Sequence, residues 1–255
     1  MNELSPTFRL AQALFDGDAN QARACFGETI SLDGPYTGKV TSLTGLGWAA
    51  GAWPALFRTT RGTKLQLRGE TSADGRIVSE ILVSATSHDG DPIQLPLAMM
   101  GEYGEDARLR EARFYFCEKP LTGELRPRLT SFFSMDPPVS TPEDYPDVNA
   151  RYIGNQIKWN IPGILEQFGE EPYIERGLDR LEGIEALGEF YKFVIIPDMP
   201  VRVVKNTGTY DGRTFILEWS SARIPTASGL AAYERHADGR LKAVRMYDNS
   251  PWPCD

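Results

Sequence analysis

The chain has 255 residues, of which 41% are hydrophobic and 24% charged, a balance typical of globular proteins rather than of disordered or membrane proteins. Its formal net charge of −8, without any long Lys/Arg cluster, argues against a nucleic-acid partner. The N-terminus has neither the cationic start nor the apolar run of a signal peptide, and no stretch is long enough to cross a bilayer, so the expected location is cytoplasmic and no membrane partner is expected.

The first half of the chain is predicted to begin with helices and to end with strands. Apolar residues at helical spacing predict helices over 7–15, 20–26 and 46–57. Alternating or apolar runs then predict strands around 64–68, 77–86, 93–103 and 109–116. Helices followed by a meander of strands indicate the α+β class.

A proline-rich segment follows, and we interpret it as a linker. It carries six prolines, at positions 120, 127, 137, 138, 142 and 146, which deny backbone donors and stop regular structure. Phe132 and Phe133 lie inside it and favour a segment that packs along the surface, since two adjacent aromatic side chains rarely stay in water. The predicted organisation is a domain over 1–120, a linker over 121–146 and a second domain over 147–255.

The second half repeats the same order of elements. Helical spacing covers 148–160, Pro162 opens a shorter helix, and a third helix is predicted over 183–194. Strands are predicted from 201 onward, with the turn signals Asp211-Gly and Asp238-Gly between them.

The two halves also match residue by residue. The ten residues from Asp106 (Asp-Ala-Arg-Leu-Arg-Glu-Ala-Arg-Phe-Tyr) align without a gap with the ten from Asp238 (Asp-Gly-Arg-Leu-Lys-Ala-Val-Arg-Met-Tyr), at an offset of 238 − 106 = 132. Phe26-Gly-Glu likewise matches Phe168-Gly-Glu, and Asp74-Gly-Arg matches Asp211-Gly-Arg. Several anchors in the same order predict an internal duplication.

These residues carry a resemblance to a known superfamily. The helical hairpin, the helix Gly183-Ile-Glu-Ala-Leu-Gly-Glu-Phe-Tyr and the last strand ending Val-Arg-Met-Tyr-Asp resemble the SnoaL-like and ketosteroid isomerase-like branch of the nuclear transport factor 2 superfamily. The resemblance implies two tandem cone-shaped domains, each with three helices packed on a strongly curved antiparallel sheet. It also implies that the two sheets pair as an intramolecular pseudo-dimer, so we expect a monomer of that kind or a homodimer.

The resemblance implies a catalytic carboxylate near the end of the first strand of each domain. Asp33 occupies that place in the first half, in Asp33-Gly-Pro35, and Glu175 occupies it in the second. The alternative for Asp33 is a turn residue that bonds to backbone, and for Glu175 a surface charge paired with Arg176.

An oxyanion-stabilising tyrosine is implied on the first helix. Tyr152 stands at that place in the second half, whereas the first half has Leu10. The family's second donor, a protonated acid, is replaced by Ala98 and Ala231, so steroid isomerisation itself is not expected. The alternative for Tyr152 is a core aromatic that bonds a backbone carbonyl.

Glu80 and Glu218 are further candidates, because each interrupts an otherwise apolar strand. Turned into the cone, each would be a general acid or base. Turned outward, each would be an interfacial or solvated charge, and a one-residue slip in register exchanges the two faces.

Several aromatic residues could line the cones and favour a flat, apolar substrate, although most aromatic residues are core: Tyr36, Trp48, Trp53, Trp159, Phe190 and Tyr191. The two histidines, His88 and His236, fall in hairpin loops and predict no metal site. The three cysteines, Cys25, Cys117 and Cys254, are expected to be free thiols.

The sequence therefore favours an enzyme without a cofactor that acts on a hydrophobic small molecule by carboxylate and tyrosine acid–base chemistry. The reaction would be of cyclase, isomerase, dehydratase or epoxide hydrolase type, as in polyketide or terpenoid biosynthesis. No nucleotide-binding Gly-x-Gly-x-x-Gly and no Cys/His cluster is present to suggest a cofactor. The alternative is a protein that only binds a hydrophobic small molecule.

Overall fold

The computed structural model of the chain describes residues 4–35, 37–56, 63–86, 90–117, 141–194, 203–221 and 228–248. The chain divides into two compact units, Met1–Ser131 and Phe132–Asp255. Tyr36, His88, Cys254 and most of the predicted linker lie outside the described residues. The predicted domain and linker boundaries therefore stay predictions.

The described residues of the first unit form three helices and six strands. The helices are α1 (Pro6–Phe15), α2 (Ala19–Ala24) and α3 (Leu43–Leu56). The strands are β1 (Leu32–Gly34), β2 (Gly38–Val40), β3 (Lys64–Ala73), β4 (Arg76–Thr86), β5 (Pro92–Tyr103) and β6 (Leu109–Tyr115). Helix α1 begins where the Ser5 hydroxyl accepts a hydrogen bond from the backbone N–H of Phe8, with Pro6 in its first turn.

The second unit repeats this plan after a short 3₁₀ helix, Pro142–Asp144. Its helices are α4 (Asp147–Ile157), α5 (Ile161–Leu165) and α6 (Ile184–Val194). Its strands are β7 (Phe168–Arg176), β8 (Asp179–Glu182), β9 (Val203–Tyr210), β10 (Thr214–Ser221), β11 (Ser228–Arg235) and β12 (Leu241–Asp248). The predicted tandem α+β architecture is confirmed.

The two sheets have the same strand order, β2-β1-β6-β5-β4-β3 and β8-β7-β12-β11-β10-β9. One pair in each sheet differs from the prediction of a purely antiparallel sheet, since β1 runs parallel to β6 and β7 runs parallel to β12. The described neighbours are otherwise antiparallel. The sheet is mixed because the strand that follows the helical hairpin re-enters beside the last strand of the meander.

Strand register supports the duplication. Met99 pairs with Phe114, and Ala231 pairs with Met246, both at the offset of 132 found in the sequence. The bulges fall at equivalent places too, between Glu102 and Tyr103 in the first sheet and between Glu234 and Arg235 in the second. A bulge at the same position in both sheets is a feature that duplicated domains share.

The helices of each unit pack on one side of its sheet, which we call the inner face; the other side is the outer face. In the first unit the inner-face residues of β4 and β5 belong to the hydrophobic core: Ile77, Ile81, Val83, Leu95, Leu97 and Met99. Successive residues of a strand point to opposite faces, so the residues directly before and after a core residue in a regular strand lie on the outer face.

Candidate functional site

Asp33 and Glu175 lie on the outer faces of their sheets. The residues before them, Leu32 and Ile174, belong to the inner-face cores, so the side chains that follow point the other way. Asp33 is 2% exposed and Glu175 7% exposed, and they pair in register with Arg113 and Arg245. Both carboxylates are therefore turned away from the interior in which the predicted proton transfer would take place.

Glu80 and Glu218 lie on the outer faces as well. Glu80 pairs with Ala98 and Glu218 pairs with Leu230, and 98 + 132 = 230, so the two glutamates are structurally equivalent. They are 3% and 0% exposed, and Thr207 donates a hydrogen bond to the Glu218 carboxylate. The structure thus decides between the two faces that the sequence left open.

In the sequence, Glu80 lies six residues after Asp74 and Glu218 lies seven residues after Asp211, so the two repeats appear to be offset by one residue. This offset has a local cause. Arg76 pairs with Glu102 at the start of β4, whereas Thr214 pairs with the equivalent Glu234 at the start of β10. The second hairpin therefore holds one residue more after its Asp-Gly turn. The extra residue lies in the turn, so register and face are the same in both sheets from that point on.

A repeated ion-pair network is the main electrostatic feature of the outer faces. Glu102 accepts hydrogen bonds from Arg110 and Arg113, both at 2.8 Å, and Glu234 accepts one from Arg245 at 2.7 Å. Burial alone would raise the pKa of Glu102 and of Glu234. The hydrogen bonds from the cationic side chains outweigh burial and lower each pKa to about 2. Both carboxylates stay ionised at neutral pH, as expected of structural ion pairs.

The interior of the first unit is filled by apolar side chains. Trp53 is 1% exposed and contacts the rings of Phe15, Phe114 and Phe116, with centroid distances of 5.1, 4.7 and 5.9 Å. Leu10, at the position that Tyr152 has in the second unit, is 0% exposed. Apolar and aromatic side chains thus pack around Trp53 as a core.

The interior of the second unit contains a pair of hydrogen-bonded tyrosines. The Tyr152 and Tyr191 hydroxyl oxygens lie 2.7 Å apart, and Gln156 Nε2 donates to the Tyr152 oxygen at 2.9 Å. One of the two hydroxyl protons forms the bond between the tyrosines, so whichever tyrosine donates, one O–H remains for a ligand. Tyr152, predicted as a donor, and Tyr191, predicted only as a lining residue, thus act together.

More hydroxyls lie around this pair. Burial raises the pKa of Tyr152, Tyr191 and Tyr233 above the ordinary range. Neighbouring tyrosines raise the pKa of Tyr152 and Tyr233 further, whereas the hydrogen bond with Tyr152 opposes the rise at Tyr191. Tyr145 is among the groups that raise the pKa of Tyr233. The cluster is therefore protonated at neutral pH and serves as a set of hydrogen-bond donors rather than as a base.

An ion pair on the same inner face was missed by the sequence analysis. Arg176 Nη2 donates to Asp248 Oδ1 at 2.7 Å, and the side chains are only 11% and 2% exposed. Arg176 lies two residues after Ile174, and Asp248 two residues after Met246, so both side chains are on the inner face like those residues. Asp248 ends the Val-Arg-Met-Tyr-Asp motif, which was the available signal, and it lies four residues beyond Val244, the partner of Tyr233. At about 3.3 Å per residue this places the backbone of Asp248 roughly 13 Å along the strand from the position opposite Tyr233.

Between the tyrosine pair and the Arg176–Asp248 ion pair, the inner face of the second unit carries smaller and more polar residues than the equivalent positions of the first unit. At the offset of 132, Ala231 stands for Met99, Gly229 for Leu97 and Asp248 for Phe116. Phe114 and Ile81 of the first unit are 0% exposed, whereas the residues at the equivalent positions of the second unit, Met246 and Trp219, are only partly buried. The opposite holds near the β11–β12 turn, where the second unit has the large side chain of Tyr233 and the first unit has Gly101.

The other predicted aromatic residues divide between surface and core. Trp48 is 60% exposed and Trp159 is 37% exposed, so neither lines an interior. Trp53 is in the first core, and Phe190 packs edge-on against Tyr191 at a centroid distance of 5.3 Å. Among the described members of that set, Tyr191 belongs to the tyrosine pair and Phe190 adjoins it.

Titratable groups elsewhere form no further centre in the described part of the chain. His236 Nε2 donates to the Glu170 carbonyl at 2.8 Å, and Cys25 and Cys117 are buried cysteines. The described ranges contain no group of three or more His, Cys, Asp or Glu side chains arranged to hold a metal ion. They also contain no helix with the length and apolar character needed to cross a membrane.

Comparison with protein-family models and with curated proteins finds no match to this chain. Solved structures do match. A ketosteroid isomerase-like protein from Catenulispora acidiphila, in complex with trimethylamine, is 11% identical, with 46% of this chain and 89% of that chain covered and a TM-score of 0.39.

Two further solved structures match to a similar degree. A SnoaL-like protein of unknown function from Burkholderia thailandensis is 14% identical over 38% of this chain and 88% of that chain, with a TM-score of 0.33. The epoxide hydrolase/cyclase-like enzyme SalBIII, of pyran ring formation in the polyether salinomycin, is 16% identical over 42% of this chain and 89% of that chain, with a TM-score of 0.35.

In element order, the described part of each half has the α+β plan, three helices packed on a sheet, that its resemblance to the SnoaL-like and ketosteroid isomerase-like branch of the nuclear transport factor 2 superfamily predicted. The predicted antiparallel sheet is instead a mixed, six-stranded one.

Proposed function

We propose that the second unit is an enzyme that moves a proton on an apolar, oxygen-containing small molecule without a cofactor. The reaction would be of cyclase, isomerase, dehydratase or epoxide hydrolase type. The observation that carries the proposal is the difference between the two interiors: the first is packed with Trp53 at its centre, and the second combines tyrosine hydroxyls, a buried carboxylate and partly exposed apolar walls.

In this scheme the tyrosine pair binds an oxygen of the substrate. Its one remaining O–H donates to that oxygen as negative charge develops there. Asp248 takes a proton from carbon and returns it at another position, and Arg176 holds the carboxylate in place. The proton leaves carbon for the carboxylate, the electron pair moves to the oxygen, and the later return of the proton restores the neutral product.

The proposal can be tested without knowing the substrate. We expect the protein in D₂O to accelerate exchange of the protons next to the carbonyl of planar ketones such as 2-acetylnaphthalene and 1-tetralone, measured by NMR. Asp248→Asn should abolish the acceleration, and Asp16→Asn, on an exposed C-cap, should leave it unchanged. Thermal melting of both variants checks that they are folded. Full exchange activity in Asp248→Asn would contradict the assigned role.

One observation favours the alternative, a protein that only binds its ligand. Asp248 is already paired with the Arg176 guanidinium group, so its carboxylate has a structural partner without any ligand. If binding is the only function, wild type binds the ketones, exchange stays at the rate of buffer alone, and Asp248→Asn changes neither.

A further inference from the structure

Helix α3 has a side that is turned away from the core and carries no charged residue. We call this side the α3 face, and it is formed by Leu43, Thr44, Gly47, Trp48, Gly51 and Ala55. Leu43 is 63% exposed and Trp48 is 60% exposed, whereas Trp53 on the opposite side is buried. None of the residues of α3 is charged, although 24% of the chain is. A helix that is apolar on every side is normally covered on every side.

The duplicate helix α6 has the charged surface that α3 lacks. The two helices align at an offset of 191 − 53 = 138, at which the buried Trp53 matches the buried Tyr191, and the same offset relates β4 to β10. Glu185 and Glu189 of α6 are exposed, and Glu189 pairs with Lys192 at 2.7 Å. The uncharged surface is therefore a property of α3 itself and not of this helix position in the fold.

Two glycines of the α3 face, Gly47 and Gly51, stand where α6 has its two exposed glutamates. A Cβ added at either glycine would meet no atom of the described chain within 4 Å, so packing inside that part of the chain does not require glycine there. Glycine also destabilises the interior of a helix relative to alanine. The two glycines lie four residues apart on one side of the helix, and Trp48 is their neighbour. The α3 face thus carries a large apolar side chain beside a shallow hollow.

We propose that the α3 face joins two copies of this chain across a twofold axis, with Trp48 of each copy seated in the hollow at Gly47 and Gly51 of the other. A twofold interface uses the same surface of both copies, so that surface must be complementary to itself. A projecting ring and a hollow on one face meet this requirement, and glycine lets two helices approach closely.

The charge of the chain favours this face as the contact. Each copy has a formal net charge of −8, so two copies repel one another over most of their surfaces. An uncharged face allows them to meet without burying unpaired charges. The inference does not depend on the proposed function, because α3 belongs to the first unit.

Sedimentation velocity of the full chain over a range of protein concentrations tests the proposal. We expect wild type to pass from monomer to dimer as the concentration rises. Trp48→Glu removes the ring, and Gly51→Glu fills the hollow with the residue of α6, so each should raise the dissociation constant of the dimer by about tenfold or more. Phe193→Glu is the matched control, because it places the same charge at an exposed apolar position of α6 and should leave the dimer unchanged.

Gly51→Ala separates the contact between copies from the stability of the helix. Alanine favours a helix over glycine, so the monomer should melt at a higher temperature, whereas the added methyl group should weaken the dimer. A stronger dimer in this variant would contradict the close helix contact. A dimer that survives both Trp48→Glu and Gly51→Glu would overturn the proposal, as would a wild type that is monomeric at every concentration. If that monomer sediments with phosphatidylcholine vesicles and Trp48→Glu does not, the α3 face binds a membrane surface instead, which also overturns the proposal.

Discussion

At the scale of single residues, the tyrosine hydroxyls make a prediction about alkaline pH. Tyr152, Tyr191 and Tyr233 have raised pKa values because of burial, while an exposed or unfolded tyrosine loses its proton near about 10. The folded form therefore holds these protons when the unfolded form has released them, and the free energy of unfolding should fall as pH rises above about 10.

Ultraviolet titration of the phenolate checks this. At least three of the ten tyrosines should ionise only as the protein unfolds in alkali. Tyr152→Phe should reduce that late-titrating group by one. Ionisation of every tyrosine near about 10 in the folded protein would contradict the buried cluster.

Gly229 makes a second residue-scale prediction. A Cβ added there would lie 2.5 Å from the Asp248 Cβ and 2.9 Å from the backbone oxygen of Tyr247. Gly229→Ala must therefore displace Asp248, and we expect a loss of about 1–3 kcal/mol in the free energy of unfolding together with loss of ketone exchange.

Gly188→Ala is the matched control. Its added Cβ would lie 3.5 Å from Leu165 Cδ1, an ordinary contact, within α6. Because alanine favours a helix over glycine, this variant should gain up to about 1 kcal/mol. Urea denaturation measures both variants, and equal stability of Gly229→Ala and wild type would show that Asp248 is not confined by β11.

At the scale of elements, β11 and β12 distinguish the two units. We expect Ala231→Met, which gives the second unit the residue of the first, to fill the inner face and weaken 2-acetylnaphthalene binding by tenfold or more, about 1.4 kcal/mol. Ala232→Met, on the adjacent outer-face position that is 0% exposed, should instead lose about 1–3 kcal/mol by overpacking.

Calorimetric titration and urea denaturation of this pair separate the two faces of one strand. Unchanged affinity in Ala231→Met would place the ligand elsewhere. Ala231→Met and Ala232→Met are the same chemical change at adjacent positions, so a difference between the two variants reports only the face of the strand on which each side chain lies.

At the scale of the whole molecule, the difference between the interiors of the two duplicated units predicts one ligand per chain rather than two. The first unit's interior is closed by Trp53 and its aromatic neighbours, whereas the second unit's walls are partly exposed. Calorimetric titration with 2-acetylnaphthalene should give a stoichiometry of one per 255-residue chain. Two sites would contradict the inequality of the units.

The sequence by itself determined the tandem architecture and the inequality of the halves. Helix and strand periods are local signals, and repeated Asp-Gly turns mark the same hairpins, so the element order and the offset of 132 could be predicted from the residues alone. The contrast of Tyr152 with Leu10 also needed only an alignment of one half with the other.

Only the tertiary structure decided which side chains share the inner face. The four predicted carboxylates all lie on outer faces: Asp33, Glu80, Glu175 and Glu218. The sequence could not decide this, because a strand alternates sides at every residue and one extra turn residue is enough to obscure the register. Arg176 and Asp248 are 72 positions apart in the chain, and Tyr152 and Tyr191 are 39 apart. Such pairs meet only when helices and strands pack together, since burial and hydrogen bonding between distant segments leave no periodic trace in the sequence.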